Sequence, residues 1–228
     1  SQSLEANTTG TGNVAVGYTA LEANTTASNN TAVGYASLSA NTTGTSNTAV
    51  GLSAGAALTT GDFNIFIGKD AGLVTTTSDS NDAIGESSFL DNTTGASNVC
   101  VGANALGNNT TADNNTAIGR LALYANTTGT RNTAVGYAAL DANTTANDNT
   151  AVGYEALTAA TAGANTAVGK GALTATTTGG SNTAVGYGSL GSNTTAADNT
   201  AVGLNALGAN TTGANNVAVG LNAGIDLT

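Results

Sequence analysis

An Asn that returns every 17 residues constrains this chain more than any other feature. Asn-Thr-Ala-Val-Gly and its close variants start at Asn13 and recur to Asn216, with a single 16-residue step between Asn149 and Asn165. With that Asn as column 0, column 4 is always Gly, column 3 is always Val or Ile, and column 2 is Ala in all but two copies. A short, regular internal repeat indicates that each copy buries its apolar positions by stacking on its neighbours.

The repeat is too short for two helices with their turns, and an invariant Gly disfavours any helix that includes it. Thr-Ala-Val-Gly is short and partly β-branched, which is typical of a strand. We therefore expect an all-β fold, a parallel β-solenoid (β-roll) of about 13 coils with 17 residues per coil. Residues 1–228 are expected to form a single solenoid domain, a fragment of a longer chain because both ends fall within a repeat.

Neighbouring residues of a strand point to opposite faces, so columns 2 and 3 cannot both face the interior. We expect the larger column 3 to form the core with the Leu of column 8, and column 2 to face outward. Strands that are apolar on both faces are normally covered on both, so a neighbouring chain is expected on column 2, against the alternative of an exposed Ala stripe. The predicted core ladder is Val16, Val33, Val50, Ile67, Ile84, Val101, Ile118, Val135, Val152, Val168, Val185, Val202 and Val219. The predicted oligomer face is Ala15, Ala32, Ala49, Ala134, Ala151, Ala167 and Ala184.

Three coils carry Gly at column 8 instead of Leu, at Gly55, Gly72 and Gly224. Branched apolar residues appear later in the same coils, the first being Leu58. Cores tolerate exchanges that preserve volume, so we expect these residues to replace the missing Leu.

The composition argues against catalysis and against several partners. The chain has no His and one Cys, and its 14 acidic residues are scattered over different columns. No triad, metal site or carboxylate pair is therefore predicted, and we expect a protein that is not an enzyme and has no cofactor. A net charge of -10 provides no basic footprint for nucleic acid. No apolar run is long enough to cross a membrane.

Two polar columns are candidates for ligand contact. Column 5 forms a broken aromatic edge suited to a cell-surface glycan or receptor, unless each ring only covers a corner. This candidate ligand edge is Tyr18, Tyr35, Tyr137, Tyr154 and Tyr187. The alternative function is ice binding through a solvent-exposed Thr ladder at column 13, beside an outward Asn at column 11. The candidate ice face is Thr9, Thr26, Thr43, Thr60, Thr77, Thr94, Thr111, Thr128 and Thr145.

The segments at residues 132–145 (Asn-Thr-Ala-Val-Gly-Tyr-Ala-Ala-Leu-Asp-Ala-Asn-Thr-Thr) and 58–68 resemble repeats of phage tail-fibre proteins and bacterial surface adhesins. Those proteins often carry an endosialidase-type chaperone domain. There is a looser similarity to the head repeats of trimeric autotransporter adhesins. The resemblance implies an extracellular homotrimer, secreted or on a cell or virion surface, that acts as a structural rod or adhesive head and binds a cell-surface partner.

Overall fold

The computed structural model describes residues 2–225 and 227, and the chain forms two compact units, Ser1–Asn114 and Asn115–Thr228. Every regular element in the described residues is a three-residue strand, and none is a helix. The first unit contains β1 (Val14–Val16), β2 (Thr31–Val33), β3 (Thr48–Val50), β4 (Ile65–Ile67), β5 (Asp82–Ile84) and β6 (Val99–Val101). The second unit contains β7 (Thr116–Ile118), β8 (Thr133–Val135), β9 (Thr150–Val152), β10 (Thr166–Val168), β11 (Thr183–Val185), β12 (Thr200–Val202) and β13 (Val217–Val219).

Within each unit, each strand pairs in parallel with the strand of the next coil. The register joins identical columns, as in Val33 with Val50 in the first unit and Val135 with Val152 in the second. The short coil is kept in register too, because Val152 pairs with Val168. This arrangement confirms the predicted all-β, parallel β-solenoid with one coil per repeat.

The invariant Gly of column 4 ends each strand at a point of close backbone contact between coils. Gly34 has a φ of 139°, and a Cβ there would overlap the carbonyl oxygen of Gly51 in the next coil. A side chain at this column would therefore both strain the backbone and separate the coils.

The prediction of which strand column faces inward was wrong. Column 2 lies in the interior, and column 3 points outward: Ala167 is 0% exposed, whereas the adjacent Val168 is 36% exposed. The physical reason is the width of the interior, since column 2 shares it with the Leu side chains of column 8, and a small residue opposite a large one fills the space. All column 3 residues therefore face outward, and each is half-buried or exposed. These residues are Val16, Val33, Val50, Ile67, Ile84, Val101, Ile118, Val135, Val152, Val168, Val185, Val202 and Val219.

The predicted oligomer face is corrected for the same reason. The residues Ala32, Ala49, Ala134, Ala151, Ala167 and Ala184 are fully buried within their own chain, and Ala15 in the first strand is half-buried. They are not available to a second copy. The size limit at this column is set by the interior of the coil.

Column 8 fills that interior from an unusual backbone conformation. Leu140 is fully buried with a φ of 55°, and the other Leu residues of this column adopt similar positive values. A non-Gly residue in this left-handed region costs about 1–2 kcal/mol. Complete burial of a Leu contributes about 1.5–3 kcal/mol, which offsets the strain.

The Gly residues at column 8 make room for a large residue at column 2. Phe66 is fully buried, and its ring occupies the space that a Cβ at Gly55 or Gly72 would need. Leu58 is also fully buried, as expected from the sequence. The volume lost at column 8 is thus replaced both within the coil by Leu58 and from across the interior by Phe66.

Candidate binding surfaces

The outward side chains of the strands form one surface in each unit, which we call the outer sheet face: columns 1 and 3 of every coil. Column 3 supplies the Val and Ile residues described above. Column 1 is Thr in most coils, and its side chains are half-buried. These column 1 Thr residues are Thr31, Thr48, Thr116, Thr133, Thr150, Thr166, Thr183 and Thr200.

The column 1 hydroxyls have no hydrogen-bond partner among the described residues. They stand in a row beside the exposed methyl groups of column 3. Apart from Asp82, columns 1 and 3 contain no charged residue. The outer sheet face therefore presents methyl groups and unused hydroxyls in a regular array, on strands that are paired in register.

Buried Asn side chains fix the coils beneath this surface. At column 0, the Oδ1 of Asn30 accepts the backbone N–H of Asn47 at 2.9 Å, and its Nδ2 donates to the carbonyl of Gly44 at 2.8 Å. The same pattern recurs in the second unit, where the backbone N–H of Asn149 donates to Asn132 at 3.0 Å. Fully satisfied buried amides make the backbone rigid, so the outer sheet face is held in one geometry.

A second Asn ladder runs through column 11. Asn41 Nδ2 donates to Asn24 Oδ1 at 3.1 Å and to the carbonyl of Gly44 at 2.9 Å. The Oδ1 atoms of Asn41 and Asn143 have no donor. In both cases the next coil has an apolar residue at column 11, Leu58 after Asn41 and Ala160 after Asn143. At these two positions the ladder therefore ends on an unsatisfied acceptor.

The predicted tyrosine edge is exposed, as expected, but its rings contact one another. In the first unit, Tyr18 and Tyr35 stack with ring centroids 5.6 Å apart. In the second unit, Tyr137 and Tyr154 stack at 5.2 Å. This stacking was not predicted, although five Tyr residues in one column of a stacked repeat are a sufficient signal for it.

Cations of the same column extend the aromatic stack in the second unit. The guanidinium of Arg120 lies 6.0 Å from the Tyr137 ring centroid. The ammonium of Lys170 lies 5.4 Å from the ring of Tyr154 and 5.8 Å from that of Tyr187. These distances are typical of cation–π contacts. Since sugars bind aromatic residues through the ring face, a stack whose faces are already in contact offers mainly hydroxyl groups to a ligand.

The nine predicted column 13 Thr residues are all exposed, and their hydroxyls have no hydrogen-bond partner among the described residues. They lie in a bend and not in a strand. The column 12 hydroxyls are used between coils, as where Thr42 donates to the carbonyl of Thr59 at 3.1 Å. The predicted outward Asn at column 11 was wrong, because Asn24 and Asn41 are fully buried. Column 13 is therefore a single exposed row.

The described residues contain no cluster of His, Cys, Asp and Glu suited to a metal ion, and no helix that could span a membrane. Cys100 is buried, and its burial raises the pKa of the thiol well above its usual value, with the nearby Asp82 charge acting in the same direction. The thiolate is the reactive form of cysteine, so this thiol is unreactive in the folded chain.

Comparisons with models of protein families, with curated proteins and with solved structures found no match. Function therefore has to be inferred from the surface chemistry of the chain itself. The surface that most needs an explanation is the outer sheet face, which exposes branched apolar side chains in every coil.

Proposed function

We propose that this chain is a structural rod of an extracellular fibre, and that it works as a homotrimer whose copies pack through the outer sheet face. The single observation that carries the proposal is the outward Val or Ile at column 3 of every coil. Contiguous exposed apolar surface in a soluble protein marks an interaction site. A cell-surface glycan or receptor is the proposed target of the assembled fibre.

A second copy suits this surface better than an unrelated partner does. The apolar residue recurs at the coil spacing in both units, so a complementary partner must present apolar groups at the same spacing. Another copy of the chain has the same spacing, because it has the same repeat. A compact globular partner would contact only a few coils and would leave the other Val and Ile residues exposed.

The hydroxyls of column 1 limit how the copies can meet. A buried hydroxyl without a partner costs about 1–3 kcal/mol. Symmetric packing of equal columns offers each Thr hydroxyl another Thr hydroxyl, or a water molecule, as its partner. The number of copies, three, comes from the resemblance to tail fibres and to the trimeric adhesins.

The proposal is tested by the molar mass in solution. Wild type should behave as a trimer of the 21.8 kDa chain in light scattering. Replacing Val135, Val152 and Val168 together with Lys should give a folded monomer, because association would then bury unpaired charges in the outer sheet face. A matched control adds the same three charges at the exposed Thr128, Thr145 and Thr178, and it should remain a trimer. A wild type that is monomeric at all concentrations would contradict the proposal.

Ice binding is the second candidate, and the exposed column 13 Thr row is the observation that favours it. Its hydroxyls have no partner among the described residues, and its spacing is that of the coils. The column 13 Lys variant tests this candidate as well. If the row binds ice, wild type should slow the growth of ice crystals, and Lys at Thr128, Thr145 and Thr178 should abolish the effect. Equal activity in both proteins would exclude this row.

A further inference from the structure

One carboxylate interrupts the otherwise uncharged outer sheet face. Asp82 occupies column 1 in β5, where most coils have Thr. The parallel register places Ile65 of β4 on one side of it and Val99 of β6 on the other. Its own strand adds the exposed Ile84. Asp82 therefore points outward from the middle of a group of β-branched apolar side chains.

The Asp82 carboxylate has no hydrogen bond or ion pair among the described residues. The cation of the preceding coil, Lys69, pairs with Asp70 at 3.2 Å and with Glu86 at 3.7 Å. The other ionisable groups on the strands and turns around Asp82 are Asp62, which precedes β4, Asp79, which precedes β5, and the inward thiol of Cys100. None of them supplies a positive charge that would accompany the Asp82 carboxylate into an interface.

We propose that Asp82 makes self-association through the outer sheet face acid-sensitive: the copies pack tightly when the carboxyl group is protonated and more weakly when it is ionised. The inference rests on the proposed packing of copies through this surface. An ionised group is disfavoured in a low-dielectric contact, so association and proton uptake are coupled. Symmetric packing in register adds to the effect, because the Asp82 residues of all copies then lie at the same level.

The sign of the pH dependence follows from this coupling. A carboxyl group enclosed between apolar surfaces is favoured in its neutral form, so association is coupled to the uptake of a proton by Asp82. Lowering the pH therefore strengthens association, and raising the pH weakens it.

The experiment measures the dissociation concentration by sedimentation at pH 7.5 and pH 5 for wild type and three variants. Asp82→Asn removes the charge from the outer sheet face and keeps the shape of the side chain. Asp91→Asn is the matched control, because Asp91 lies in the same coil, is exposed, and is outside columns 1 and 3. Asp82→Thr introduces the residue found in most coils and gives a second neutral variant.

We expect wild type to associate about tenfold more tightly at pH 5 than at pH 7.5, since each copy of the trimer takes up a proton as it packs and the effects of the copies multiply. Asp82→Asn and Asp82→Thr should associate at pH 7.5 at least as tightly as wild type does at pH 5. Asp91→Asn should keep the wild-type pH dependence. If wild type associates but Asp82→Asn and Asp91→Asn behave alike, the acid-sensitive contact is wrong and the packing proposal stands. If all four proteins stay monomeric, both are wrong.

Discussion

The two units fill their interiors differently. In the second unit, Ala at column 2 faces Leu at column 8 in every coil until Gly224. In the first unit, Phe66 occupies column 2 beside Gly55 and Gly72, and Phe89 replaces Leu at column 8. This difference indicates that the total side-chain volume in the interior is conserved across neighbouring coils, although the size of the residue at any one column can change.

The largest expected effect comes from breaking this compensation in the first unit. Phe66→Ala should lower the free energy of unfolding by about 3–5 kcal/mol, because it leaves a cavity between two Gly residues that cannot fill it. Urea denaturation measures the loss. Ala134→Phe should also destabilise the chain, by about 1–3 kcal/mol, because the second unit has Leu residues where the ring would lie.

A compensated variant sharpens the same comparison. Phe66→Ala combined with Gly55→Leu and Gly72→Leu converts columns 2 and 8 of these coils to the pattern of the second unit. Leu already adopts the required positive φ at column 8 elsewhere, as at Leu38. The triple variant should recover most of the stability lost in Phe66→Ala alone. If it is no more stable than Phe66→Ala, the interior does not exchange volume between these columns.

A smaller effect on the free energy of unfolding is expected from substitutions in the column 11 Asn ladder of the second unit. Asn126 accepts a hydrogen bond from Asn143 at 3.0 Å, whereas the Oδ1 of Asn143 has no donor. Each substitution removes the hydrogen bond between the two side chains, but Asn143→Ala also removes a buried oxygen that is already unsatisfied, so Asn126→Ala should cost about 1–3 kcal/mol more. Both values come from urea denaturation. Equal costs would show that the unsatisfied oxygen has a partner in solution.

The smallest effect concerns Cys100, which stands in the first unit where the second always has Ala. Burial raises the pKa of its thiol, so the folded chain keeps the proton to higher pH than the unfolded chain does. Stability from this group is fully present below the unfolded pKa of about 8.5 and is lost as the pH rises above it. Cys100→Ala should therefore reduce the loss of stability between pH 8 and pH 10. An unchanged pH profile would contradict the assignment.

The sequence was sufficient for the architecture because the repeat imposes it. An invariant Gly after a β-branched residue, repeated at a fixed spacing, leaves parallel stacking of equal columns as the consistent solution. The exposure of Tyr18 and of the column 13 Thr residues was also predictable, since polar or amphipathic side chains recur there between buried columns. Their function stays a prediction.

The prediction of which strand face points inward was wrong, because both central columns are apolar and Val is more hydrophobic than Ala. Two signals in the sequence favour the observed direction. Column 1, which shares a face with column 3, accepts Asp82, and a charged residue belongs outside. Phe66 occurs at column 2 in a coil whose column 8 is Gly72, and such a size exchange indicates that the two columns share the interior. The left-handed Leu residues that set the width of that interior have no sequence signature, since bulky side chains rarely adopt this conformation.

The most direct test of the central claim is the rate at which a thiol reagent labels a Cys placed at column 2 or column 3 of one strand. Val152→Cys should react quickly in dilute solution and become protected as the protein concentration rises, because column 3 faces outward and would be covered by other copies in the proposed assembly. Ala151→Cys should react as slowly as the buried Cys100 at every concentration. Fast labelling of Ala151→Cys, or labelling of Val152→Cys that is independent of concentration, would contradict the account.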